Sequence, residues 1–159
     1  MLKIYYSKPV ALDEIEKAIR ENFGIDVKDA GMLPMPEKAY EVARGQYNAA
    51  FLVSILPPYS IWIVDEDIYV DNMNFVFGLA MQNRAVVSCY RLPSNAMIAK
   101  EVVHEVGHIF GLSHCKNECV MQFSNSLAEA MKKPGKLCEE CKRKIRKKGK
   151  NYEIHIVLM

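Results

Sequence analysis

The sequence has no apolar run approaching the roughly 18 residues that a membrane helix requires, which excludes a helical span. No signal-like stretch precedes its first strand-forming segment, so the chain is expected to stay in the cytoplasm. It has no internal repeat, which excludes a repeat array. It also has little net charge, only +2, but that near-neutrality hides a polarity. Lys132, Lys133, Lys136, Lys142, Arg143, Lys144, Arg146, Lys147, Lys148 and Lys150 are opposed there only by Glu139 and Glu140, so this segment carries +8 and the rest of the chain −6. Five cysteines in a reducing compartment are better explained by metal than by disulfides. What remains, with half of its 159 residues hydrophobic and a quarter charged, is a globular chain of one-domain size.

Strand and helix signals alternate through the first two thirds. Leu2 to Tyr6 reads as a strand, and Val10 to Phe23 as a helix with Leu12, Ile15, Ile19 and Phe23 on one face, stopped by Gly24. Ile25 to Leu33 reads as a second strand, closed by Pro34 and Pro36. Gln46 to Leu56 has helical spacing and ends at Pro57. Ile61 to Val64, Asn74 to Ala80 and Ala85 to Leu92 read as three further strands. Asp65, Asp67, Asp71, Asn72 and Asn74 lack the glycine and terminal Glu of a calcium loop, so their expected role is turn chemistry. Asn95 to Leu112 reads as a helix, with shorter ones at Ser124 to Lys133 and Cys138 to Lys148. Tyr152, Ile154, Ile156 and Leu158 alternate as an edge strand or extended tail, where His155 is not an expected ligand.

Three of the four histidines fall within eleven residues, in His-Glu-Val-Gly-His-Ile-Phe-Gly-Leu-Ser-His. On a helix His104 and His108 lie one turn apart on the same face, so both imidazoles can reach one zinc ion. Glu105 is rotated off that line, close enough to hold a water against the metal. Gly111 supplies a turn where the helix must end, bringing His114 back as a third ligand. Three neutral ligands leave the fourth tetrahedral position for water, the arrangement of a catalytic zinc.

Cys115, Cys119, Cys138 and Cys141 form a Cys-x3-Cys and a Cys-x2-Cys pair, the spacing of a four-thiolate zinc site. Four thiolates leave no open position and outweigh the ion's charge, leaving the site net negative, so this second zinc is expected to be structural. Cys115 directly follows His114, and the structural zinc should therefore help fix the backbone that delivers the third histidine. Cys89 lies in a predicted strand and reads as a buried apolar residue.

The pattern H-E-x-x-H-x-x-G-x-x-H, followed by Cys115, by Cys119-Val120-Met121 and by Cys138 and Cys141, resembles the archaemetzincins, a family of metzincin-clan zinc metalloproteases. The run from Asn74 to Ala80 is also similar to theirs. The resemblance implies an α+β, metzincin-like fold with a mixed, mostly parallel five-stranded sheet. It implies a single catalytic domain over 1–159, divided into an N-terminal subdomain with the active-site helix (1–111) and a small C-terminal subdomain (112–159). It places Met121 in a Met-turn beneath the histidines and puts Asn74 to Ala80 at the sheet edge where substrate pairs. Some other metzincins carry a tyrosine two residues after that methionine; here it is Phe123, which has no hydroxyl.

The expected activity is therefore peptide-bond hydrolysis on a peptide or protein substrate, with Glu105 as general base and then acid, two zinc ions as cofactors, and a monomeric chain. A zinc-stabilised nucleic-acid binder is the competing reading, since a basic helix beside a four-cysteine site suits phosphate contacts. Glu105 has no role in it, and the basic block lacks interleaved aromatics for base stacking. Nucleic acid is thus not the expected partner. A metzincin fold without turnover is the third reading.

Overall fold

A computed structural model describes residues 1–158, with side chains described through Lys148. In chain order the elements are β1 (Leu2–Tyr6), α1 (Asp13–Phe23), β2 (Val27–Met32), a 3-10 turn (Glu37–Ala39), β3 (Tyr40–Glu41), β4 (Gln46–Asn48), α2 (Ala49–Ser54), β5 (Ser60–Val64), β6 (Ile68–Tyr69), β7 (Gly78–Met81), β8 (Arg84–Ser88), α3 (Asn95–Ile109), α4 (Leu127–Lys132) and α5 (Glu139–Leu158).

The main sheet has the order β2-β1-β5-β8-β7. Its first four strands are parallel and β7 runs antiparallel along the edge. This is the mixed, mostly parallel sheet expected. All five residues of β5 are buried, as a parallel strand covered on both faces must be. Its side chains divide with period two: Ile61 and Ile63 join a core with Ile15, Ile19, Val102 and Val106 of α1 and α3, while Trp62 and Val64 face Leu52 and Val53 of α2. Trp62 is the largest fully buried side chain, and truncating it to Ala should cost about 3–5 kcal/mol. A third cluster, with Val103, Leu112, Val120, Met121 and Leu137, packs the late segments onto the end of α3. No described helix is long and apolar enough to cross a membrane.

Three expectations are corrected. The predicted helix over Gln46 to Leu56 is split, because the Asn48 side chain accepts the Phe51 N–H (3.2 Å) and caps α2 there. The residues before it pair instead in a small second sheet of order β3-β4-β6. The strand over Asn74 to Ala80 begins only at Gly78, since the preceding residues form a loop whose Asn74 carbonyl is held by the Gln46 amide (2.9 Å). The segment Tyr152 to Leu158 continues α5 rather than forming a strand. Its apolar residues are also four apart in pairs, so the same spacing suits a helix, and no strand edge is paired with it. His155 lies outside the residues whose side chains are described.

Candidate metal centres and active site

The Ser94 hydroxyl accepts the Met97 N–H (3.2 Å) and starts α3, which then carries Glu101, His104, Glu105 and His108 along one side. The helix stops at Phe110, and Gly111 adopts φ +92°, a conformation that glycine takes without a Cβ penalty. The reversed chain brings His114 to the other two, with ring centroids 5.5 Å from His104 and 4.8 Å from His108.

The His104 Nδ1–H donates to the Val120 carbonyl and the His108 Nδ1–H to the Leu112 carbonyl, each at 2.7 Å. Those bonds fix the tautomer and leave both Nε2 atoms without protons. The two Nε2 atoms nevertheless stand 3.2 Å apart, lone pair facing lone pair, an arrangement that repels unless a cation lies between them. Nitrogens about 2.0–2.1 Å from a tetrahedral zinc are about 3.3 Å from each other, so the spacing fits that ion. Burial, and then the charge of Lys133, lowers the His104 pKa to about 3; burial also lowers those of His108 and His114. Each shift favours the neutral imidazole, the form a metal requires.

Glu105 is 3% exposed, with Oε1 3.8 Å from His104 Nε2 and Oε2 buried without a hydrogen-bond partner. Burial and the nearby Glu101 raise its pKa well above the usual carboxylate range, with Lys133 opposing. The edge strand passes directly against it. A Cβ on Gly78 would lie 2.9 Å from Glu105 Cγ and 2.8 Å from the Val86 carbonyl, so only glycine fits there.

The four remaining ligand candidates meet in a cluster of their own. The sulfurs of Cys115, Cys119, Cys138 and Cys141 all lie within 4.8 Å of one another, and Cys115 and Cys138 are 3.8 Å apart. Sulfurs about 2.3 Å from a tetrahedral zinc are about 3.8 Å apart, so these too fit the ion. Burial raises the Cys138 thiol, but N–H donation from Cys141 and the Asn117 amide outweighs it and brings the pKa to about 6. Cys119 Sγ accepts the N–H groups of Met121 (3.4 Å) and Cys138 (3.3 Å), while the Cys115 N–H bonds the Met121 carbonyl (3.0 Å). Met121 is fully buried under α3, and a Cβ on Gly107 would meet its sulfur and stand 2.9 Å from its Cε. Cys89 is apart from this cluster, half-buried, its thiol pushed up to about 11 by burial.

The model of peptidase family M54 matches residues 35–147. The chain belongs to that family, the archaemetzincins. It is 47% identical over 137 residues to the archaemetzincin of Nanoarchaeum equitans, covering 82% of this chain and 80% of that one. With the archaemetzincin of Archaeoglobus fulgidus it shares 44% over 119 residues, covering 69% and 74%. Among solved structures, the archaemetzincin of Methanopyrus kandleri superposes with TM-score 0.84 at 33% identity, covering 94% of both chains. That of Archaeoglobus fulgidus, crystallised with malonate, gives 0.77 at 35% identity, covering 90% of this chain and 99% of the other. As an archaemetzincin the chain is a zinc metallopeptidase, a hydrolase with peptide substrates.

Around this archaemetzincin site stand residues that sequence reasoning passed over. Glu101 and Lys133 are both buried, with Lys133 Nζ 3.9 Å from Glu101 Oε2, 3.1 Å from the Gln122 carbonyl and 3.3 Å from His104 Nδ1. Lys100 secures the segment that delivers Lys133 by donating to the carbonyls of Ala130, Met131 and Lys133 (3.2, 3.2 and 2.8 Å). Glu101 was detectable as an acid three and four residues before His104 and Glu105. Lys133 was hidden inside a basic run. Asp65 and Asp67, weighed as calcium ligands, are engaged by Lys8 (2.9 Å) and Arg91 (2.8 Å).

Proposed function

We propose that the chain hydrolyses peptide bonds with a zinc held by His104, His108 and His114 and with Glu105 as general base and then general acid. The observation that carries this reading is the pair of unprotonated Nε2 atoms 3.2 Å apart, with the unpartnered Glu105 carboxylate beside them. A zinc bound there supplies a Lewis acid that acidifies water and polarises the scissile carbonyl. The buried Glu105 carboxyl takes a proton from the attacking water and returns it to the leaving amine; its raised pKa suits the acid half of that task. Phe123 has no hydroxyl to assist the oxyanion. The antiparallel edge of β7 offers free backbone groups with which an extended substrate can pair.

In this reading Cys115, Cys119, Cys138 and Cys141 hold a second, structural zinc, and Met121 forms the floor under the histidines. The chain acts as one catalytic domain and a monomer, with residues 1–111 presenting the active-site helix and 112–159 the Met-turn and cysteine site. Glu105→Ala tests the reading: turnover should fall by at least about 100-fold while zinc content is unchanged. Peptide hydrolysis by that variant at the wild-type rate would reject Glu105 as the base.

A further inference from the structure

The cleft beside the histidines, about 460 Å³, has a largely apolar lining that is interrupted by charged side chains. Glu101 and Lys133 line it together with Phe123, Ser124 and Asn125. The two charged groups are unequal partners in it. Lys133 is turned inward, its side chain 1% exposed and its ammonium bonded to the Gln122 carbonyl, whereas the Glu101 side chain is 8% exposed and accepts no hydrogen bond closer than the 3.9 Å approach of Lys133. The group offered to the cleft is therefore a carboxyl that accepts no hydrogen bond among the described residues, its charge balanced by the Lys133 ammonium.

Resting on the peptidase reading above, we propose that Glu101 is a specificity-determining residue, selecting a substrate whose side chain next to the scissile bond carries a hydrogen-bond donor. Lys, Arg and Gln satisfy the Glu101 oxygens. Asp and Glu bring acceptors toward Glu101 and Glu105, whose oxygens already lie within 4.8 Å of each other, and Leu leaves the buried carboxyl unpaired. A site built around a buried polar group discriminates against side chains that fail to match it far more strongly than an apolar pocket discriminates by size. Lys100, through its three carbonyl contacts, keeps Lys133 beside Glu101 and so acts as a positioning residue.

The test uses the zinc-loaded full chain and a peptide series varied only at the residues flanking the cleavage point. Wild type should cut Lys, Arg and Gln peptides at one flanking position with kcat/KM at least about 10-fold above Asp, Glu and Leu peptides. Affinity for the same peptides, measured on Glu105→Gln so that nothing is consumed, should follow the same order. Glu101→Leu alone strands a buried cation and risks misfolding, so it is combined with Lys133→Met, which removes both charges together. On the Glu105→Gln background, where binding is read without turnover, the double variant should bind Leu peptides more tightly than Lys peptides. Cleavage without donor preference, or an unchanged preference in the double variant, overturns the proposal and leaves the peptidase reading intact. No cleavage of any peptide with the affinity order retained rejects the peptidase reading and keeps the pocket.

Discussion

In the proposed mechanism Glu105 has to be ionised to accept a proton from water and protonated to hand it on, so both states have to be accessible near neutral pH. Burial and Glu101 push its pKa up while Lys133 pulls it down, and that opposition sets the balance. His104 shows the same logic with the opposite charge. Its folded pKa of about 3 lies below the ordinary 6.5, so between those values the unfolded chain binds a proton that the folded chain does not. Stability of the chelator-treated protein is therefore fully present above about pH 6.5 and is lost as pH falls toward 3, at up to about 1.4 kcal/mol per pH unit for this one group. Urea midpoints measured across that range should fall accordingly, and His104→Asn should flatten the slope. At Gly107, a methyl group collides with Met121; Gly107→Ala should cost about 1–3 kcal/mol and raise the zinc dissociation constant of the histidine site, read by denaturation and zinc titration.

Between elements, the segment from Cys115 to Met121 joins the histidine cluster to the cysteine cluster. Val120 supplies the carbonyl that orients His104; on either side of it, Cys119 Sγ accepts the Cys138 N–H and the Met121 carbonyl accepts the Cys115 N–H. Cys138→Ala touches no histidine, yet it should weaken zinc binding at the histidine site by about 10- to 100-fold. Equal affinity in variant and wild type would show that the two centres are independent. The ligand motif was legible because a helix with 3.6 residues per turn imposes i, i+4 spacing, and the two cysteine pairs have their own short spacing. Strands β5 and β8 were legible from their buried β-branched residues, and β1 from its Ile and Tyr content. The small sheet of β3, β4 and β6 was not, since two- and three-residue strands carry no periodicity and are set by contacts such as Gln46 Nε2 to Asp67 (2.9 Å). Lys133 was equally unreadable: what separates it from Lys132 is burial that only the tertiary packing confers.

At the scale of the molecule, the acidic body and basic end meet at the close of the active-site helix. Lys148 of α5 donates to the carbonyls of Phe110 (3.4 Å) and Gly111 (2.8 Å), where a helix C-terminus leaves acceptors and partial negative charge. Part of the basic block thus has an intramolecular task. Replacing the exposed Arg143, Arg146 and Lys147 with Gln should change peptide hydrolysis by no more than about twofold, measured as kcat/KM. The most direct test of the whole account is zinc counted per chain during graded chelation, with hydrolysis followed in the same samples. Two zincs are predicted, one leaving early together with all activity and one retained until the fold is lost. A single resistant zinc, or hydrolysis that persists after the first ion has gone, would contradict a catalytic metal on His104, His108 and His114.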